Sequence, residues 1–157
     1  VGSDDKVAFL ESLGVTAFNY RKLSPAAGLA KHCPEGIDMF FDNVGGETLD
    51  AALGFMKTFG RIVACGAISA YNAKPGEAYG LKNYFWIISS QLRYQGFIVH
   101  QWEKEYPEAR AQLAAWVKEG KLTYRETVLN GFENIPRAFL GLFDGENTGK
   151  MLVRAKL

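Results

Sequence analysis

The fold is decided by two stretches: Gly36-Ile37-Asp38-Met39-Phe40-Phe41-Asp42-Asn43-Val44-Gly45-Gly46, and Gly60-Arg61-Ile62-Val63-Ala64-Cys65-Gly66-Ala67-Ile68-Ser69-Ala70-Tyr71. Each opens with a run of large apolar residues that reads as a buried strand, broken in the first only by Asp38. Each then passes into a turn of bare backbone and hydroxyl or amide side chains. Between them, Thr48 to Met56 carries Leu49, Leu53 and Met56 on one side of a helix. Strand, helix and strand at this spacing imply parallel strands joined by a crossover. In such sheets the ligand crevice lies beyond the carboxyl ends of the strands. The informative positions are therefore those that follow strands.

The alternation extends in both directions. Upstream, Ser3 is placed to cap a helix with Asp4 and Asp5 in its first turn, where carboxylates favour the positive helix end. Val7, Phe9, Leu10 and Leu13 supply its apolar stripe, and Gly14 can end it. Val15 to Tyr20 reads as a short strand, and Pro25 opens a helix running to about Cys33. Downstream come a long loop from Gly66 to Gly80 and a short helix from Tyr84 to Gln91. Leu92 to His100 reads as a strand, and Tyr106 to Lys118 as a helix with Pro107 in its first turn. After Gly120 the pattern gives a strand at Thr123 to Val128, a helix at Pro136 to Phe143 and a strand at Lys150 to Ala155. These elements predict an α/β fold with a doubly wound parallel sheet.

Composition removes several function classes. The 157 residues are 48% hydrophobic and 22% charged, with net charge +1, so no basic field is present for nucleic acid. No apolar run reaches the roughly 18 residues of a spanning helix, and no membrane association is expected. Cys33 and Cys65 stand too far apart for a C-x-x-C clip and read as reduced thiols of a cytoplasmic protein. His32 and His100 join no carboxylate or cysteine pattern, so no metal site is expected. The opening Val1-Gly2-Ser3-Asp4-Asp5-Lys6 has neither an initiating Met nor an apolar signal region. The sequence is therefore expected to start inside a longer protein.

Four segments carry a specific resemblance: Phe41 to Glu47, Gly60 to Asn72, Gly96-Phe97-Ile98-Val99 and Gly131-Phe132-Glu133-Asn134-Ile135-Pro136. In this order and spacing they resemble the zinc-independent medium-chain dehydrogenase/reductases, in the branch of prostaglandin reductases, alkenal double-bond reductases and curcumin reductase. The likeness is collinear from Val1 to Ala155. It implies a Rossmann domain lacking its first strand and Gly-rich turn, since no G-x-G-x-x-G occurs here, plus the C-terminal segment of a GroES-like substrate domain. Residues 1–120 would be the partial NADP-binding domain, and 121–157 the return into the substrate domain.

The resemblance implies NADPH as cofactor and assigns residues to it. Lys6 and Tyr20 match positions that bind the ribose 2′-phosphate; on residue type alone they read as a solvated lysine and a core tyrosine. Asn43 matches a cofactor contact, although an Asx turn joining strand to helix accounts for it as well. Cys65, Gly66, Ala67, Ile68, Ser69 and Tyr71 match the loop along the nicotinamide and its ribose. Phe97, Ile98 and Val99 match a segment at the nicotinamide end, and Asn147 a further cofactor contact or a turn residue. Nothing near Cys65 in sequence depresses a thiol pKa, so it reads as a small strand-end residue rather than a nucleophile.

The implied activity is reduction of the carbon–carbon double bond of an α,β-unsaturated ketone or aldehyde, with Tyr71 as the catalytic hydroxyl. A homodimer is expected, paired through Leu92 to Val99. Quinone reduction within the same superfamily, a non-catalytic nucleotide-binding or dimerisation module, and an S-adenosylmethionine-dependent enzyme on a similar sheet remain as alternatives.

Overall fold

The computed structural model describes residues 1–155; the last two positions of the 121–157 segment lie outside the described residues. The chain forms two compact units, Val1–Gln101 and Trp102–Leu157.

In the first unit, helices α1 (Asp4–Ser12) and α2 (Pro25–His32) precede strand β1 (Ile37–Asp42). Helix α3 (Gly46–Leu53) then leads to β2 (Met56–Ala64), and helix α4 (Phe85–Ser89) to β3 (Arg93–Gly96). The strands pair in parallel in the order β1-β2-β3, which is the arrangement expected of strands joined by helical crossovers. Ser3 caps α1 through its Oγ, which accepts the Lys6 N–H at 3.4 Å, and Ser24 caps α2 with Pro25 in the first turn. Leu49, Leu53, Met56 and Ile62 form the buried core, with Ile37, Phe40, Leu81, Ile87 and Leu92 packed on it.

Three expectations change. Val15 to Tyr20 forms no strand. No strand among the described residues pairs with it; Val1 bonds to it at two points, its amino group donating to Phe18 O and its carbonyl accepting from Tyr20 N–H, both at 3.0 Å. Met56 belongs to β2 rather than to α3, because Gly54 ends the helix at Leu53. The β1–β2 register then slips between Ile37 and Met39, with Phe59 held at φ 65° on the bulge. Leu92 to His100 narrows to Arg93–Gly96, since the chain turns into a 3-10 segment at Val99. Burial also differs across β1: its apolar run suggested two covered faces, yet Met39 and Phe41 are exposed opposite the face that α3 covers.

In the second unit, helix α5 (Tyr106–Lys118) is followed by β4 (Glu126–Asn130), helix α6 (Ile135–Asp144) and β5 (Lys150–Arg154). Strands β4 and β5 pair in parallel, and Gly145 ends α6 in the left-handed conformation. Among the described residues no helix is long and apolar enough to cross a membrane.

The core placement has a direct consequence. Leu53 is 1% exposed, so Leu53→Ala should cost about 2–5 kcal/mol, whereas Phe41→Ala on the bare face should cost under about 1 kcal/mol. Urea denaturation with an unchanged slope measures both; equal losses would place the core on the wrong face of the sheet.

Candidate functional site

A cavity of about 960 Å³ opens at the carboxyl ends of β1, β2 and β3. Its lining comes from the turn after β1 (Asp42, Gly45, Gly46), the loop after β2 (Cys65, Gly66, Ala67, Ala70, Tyr71) and the segment after β3 (Phe97, Ile98, His100, Gln101). Tyr79 and Leu81 from the long loop, and Tyr94 from β3, complete it.

Asp42 builds this end of the sheet. It is 2% exposed, and one carboxylate oxygen accepts the N–H groups of Val44 and Gly45, each at 2.9 Å. Its carbonyl oxygen accepts the N–H groups of Cys65 and Gly66 at 2.8 and 3.1 Å. The Asx turn anticipated for Asn43 is thus made by Asp42; Asn43 Oδ1 lies toward Gly66, and Asn43 is not among the residues that line the cavity. Gly45 and Gly46 follow at φ 68° and 56°, a conformation that side chains disfavour. Ser69 locks the second turn to the first, its Oγ donating to Val44 O at 2.6 Å and its N–H to the same oxygen at 3.1 Å. Ile68 N–H donates to Asn43 O at 3.2 Å.

Bare backbone at Gly66 gathers two polar groups. A Cβ built there would lie 2.9 Å from Tyr71 Oη and 3.6 Å from Asn43 Oδ1. The Tyr71 oxygen accepts the Ala67 N–H at 3.2 Å, which fixes the ring and leaves the phenolic hydrogen to donate into the cavity. The ring is 64% exposed, so a ligand in the cavity reaches it.

The other expected positions fall into three groups. Cys65, Gly66, Ala67, Phe97 and Ile98 line the same cavity as Tyr71. Tyr20 and Ile68 line a second cavity of about 460 Å³ with Val1, Phe18, Pro25, Val44 and Thr48. Val44 and Ile68 come from the two turns that Asp42 joins, so the second cavity flanks the first. Lys6 sits on the first turns of α1, where its charge adds to burial in holding the Val1 amino group below its ordinary pKa. Val99 is exposed and lines neither cavity. Asn147 lies in the second unit, where its amide donates to Gly149 O at 2.6 Å. Among the described residues no group of three or more His, Cys, Asp or Glu is placed to hold a metal ion.

The sequence reading missed a second buried carboxylate. Asp50 of α3 is 5% exposed, and it accepts the N–H groups of Lys82 and Asn83 at 2.8 Å each and the Tyr79 hydroxyl at 3.0 Å. The Asn83 amide returns a bond to Asp50 O at 3.0 Å. This clasp fixes the end of the long loop and with it Tyr79 and Leu81 on the cavity wall. Burial alone would raise the Asp50 pKa, but the bonds from Asn83, Lys82 and Tyr79 together hold it below the usual carboxylate value. Burial and then the Asp50 bond raise the Tyr79 pKa, and burial and then the Asp42 charge raise that of Tyr94. An acid on the inward side of a helix was the only signal in the sequence, and it does not name its partners.

The clasp should respond to acid. A carboxylate with a depressed folded pKa contributes its stability in full above about pH 4 and loses it as the pH falls through the folded value. Amide exchange at Lys82 and Asn83 should therefore accelerate selectively on acidification, after correction for intrinsic rates. Asp50→Ala should produce that acceleration at neutral pH, at a stability cost of about 1–3 kcal/mol. Unchanged protection in the variant would mean that the loop is held by other contacts.

A protein family described as zinc-binding dehydrogenase matches residues 1–115. Prostaglandin reductase 1 of Sus scrofa is 47% identical over 98% of this chain and 47% of its own length. The NADP(+)-dependent 2-alkenal reductase of Nicotiana tabacum is 43% identical over 97% of this chain and 45% of its own length. The crystal structure of CurA in complex with NADPH from Vibrio vulnificus superposes with TM-score 0.87 at 36% identity, covering 99% of this chain and 48% of that one. The chain spans about half the length of the curated relatives it matches. With its parallel sheet and strand-end crevice, and with the family match extending over most of its length, the chain belongs to the zinc-binding dehydrogenase family.

Proposed function

We propose that this chain forms the cofactor-facing half of an NADPH-dependent oxidoreductase. The enzyme reduces the carbon–carbon double bond of α,β-unsaturated ketones and aldehydes, of the 2-alkenal or 15-oxoprostaglandin type. The observation that carries this reading is the strand-end crevice of about 960 Å³, lined by Gly66 and Tyr71, where Tyr71 Oη and Asn43 Oδ1 each approach the bare backbone of Gly66. The likeness to prostaglandin and alkenal reductases supports the choice of chemistry. So does the NADPH complex of the Vibrio vulnificus protein for the cofactor.

The residues suit such a group. Gly66 and Ala67 offer almost no side chain, so a flat ring would have room to lie against their backbone. Cys65, Ile68 and Ser69 shape that loop, and Phe97 and Ile98 provide apolar contact at the ring end. Asn43 offers both a donor and an acceptor to ribose hydroxyls or a carboxamide. Lys6 and Tyr20 serve the 2′-phosphate. Residues 1–120 act as the cofactor-binding part, and 121–157 as the return into the substrate domain.

When bound, NADPH supplies a hydride to the β-carbon of the substrate. The π electrons then collect on the carbonyl oxygen as an enolate, and a proton completes the α-carbon. The work of this chain is alignment together with a donor aimed at that oxygen. Tyr71 supplies a phenolic hydroxyl that can donate to that oxygen. The protein acts in the cytoplasm as a homodimer joined along β3, an edge strand whose four residues are all exposed.

Tyr71→Phe in the full-length protein tests the chemistry. We expect kcat with a simple enone to fall at least about tenfold while KM for NADPH stays within about threefold, because the lost group acts on the transition state. Mass spectrometry of the product should show the saturated ketone. An unchanged kcat would remove Tyr71 from the reaction.

A further inference from the structure

We propose that Tyr79 is a specificity-determining residue. Its ring is the wall against which the hydrocarbon chain on the β-carbon of the substrate packs, and Asp50 is the positioning residue that holds the ring there. This rests on the enone-reductase reading above and adds a residue that neither the sequence pattern nor the family likeness supplied.

Tyr79 belongs to the long loop that follows β2, yet it stands beside the turn after β1. A Cβ built on Gly45 would lie 3.3 Å from Ala67 Cβ. One built on Gly46 would lie 2.8 Å from Ser69 Oγ and 3.8 Å from Tyr79 Cβ. The Gly45-Gly46 turn therefore touches both the segment assigned to the nicotinamide and Tyr79. Tyr79 and Tyr71 line the same crevice.

The ring is held at more than one point. Its hydroxyl donates to one Asp50 oxygen at 3.0 Å. The other oxygen accepts the Lys82 and Asn83 N–H groups at 2.8 Å each, which ties the backbone just beyond Tyr79 to the same carboxylate. The Lys82 ammonium lies 5.3 Å from the centre of the ring. A loop side chain that is already ordered loses little further freedom when a ligand meets it, so contact with it converts more fully into affinity. The ring is nonetheless 41% exposed and open to the crevice.

The chemistry of this wall differs from that of the Gly66 end. Leu49 precedes Asp50 on α3, and Leu81 precedes Lys82 on the loop; both line the crevice with Tyr79. Asp50 is not among the lining residues, so this side presents ring and hydrocarbon rather than charge. The Gly66 end presents bare backbone and the Tyr71 hydroxyl. An enone has the same division. With its carbonyl oxygen at Tyr71, the chain beyond its β-carbon is the part that an aromatic and aliphatic wall can bury. The gain grows with each methylene removed from water. A crevice of about 960 Å³ stands at the upper end of the usual range for small-molecule sites, with space beyond that of one flat ring. The selectivity therefore favours enones with an extended chain over the smallest ones.

Steady-state kinetics of the full-length protein with NADPH and two probes, pent-3-en-2-one and non-3-en-2-one, test this. The wild-type protein should have the higher kcat/KM with the longer enone. Tyr79→Ala should lower the ratio of kcat/KM, long enone over short, at least about fivefold, and through KM rather than kcat. Tyr79→Phe keeps the ring and removes only its bond to Asp50, so it should lower the ratio in the same direction and by less. Fluorescence titration should give a Kd for NADPH in Tyr79→Ala within about threefold of the wild-type value. A Tyr79→Ala protein with the wild-type ratio, one impaired equally toward both enones, or one whose NADPH affinity falls tenfold would overturn the role of Tyr79 and leave the enone reading standing. A wild-type protein that oxidises NADPH with neither enone would overturn both.

Discussion

Four backbone N–H groups converge on Asp42, two on its carboxylate and two on its carbonyl. The residue is buried at the last position of β1. A carboxylate in that position is costly unless it is hydrogen-bonded. Its bonds go to the turn after its own strand, while the carbonyl holds the loop after the next strand. Two turns that are far apart in sequence thereby become one surface. Ser69 adds a second fastening between them through Val44 O. The positions of Asn43, Gly66 and Tyr71, and so the whole candidate chemistry, follow from that joint.

Much of this was legible in the sequence because strand and helix periods are written in the spacing of apolar residues. The β1–α3–β2 unit and α5 could be read directly, as could the Ser3 cap and the crevice beyond the strand ends. The misreadings have physical causes. Val15 to Tyr20 has strand-like residues, but no strand among the described residues pairs with it. Met56 continues the apolar spacing of α3, yet Gly54 ends that helix. Met39 and Phe41 look buried because composition does not reveal which face a helix covers.

The site was harder to read than the fold. Small residues at Gly66 and Ala67 announced a close approach, and a hydroxyl at Tyr71 announced a donor. Asp42 and Asp50 gave no comparable signal, since an acidic residue in sequence reads first as a solvated charge. What makes each an organiser is a set of N–H groups brought from elsewhere in the chain, in the case of Asp50 from Lys82 and Asn83. Asp4 read in sequence only as a first-turn carboxylate of α1, with no sign of its partners. It pairs with Asn19 and Lys22. Charge along this edge is therefore arranged by contacts between the α1 start and the 19–22 turn, which no short sequence window contains.

The central claim is that the two turns joined by Asp42 face one dinucleotide. Hydrogen exchange of the full-length protein with and without NADPH measures this directly. The account predicts that amides in 43–46 and in 65–71 gain protection together on addition of NADPH. Protection confined to other segments, with both turns exchanging as in the free protein, would contradict it.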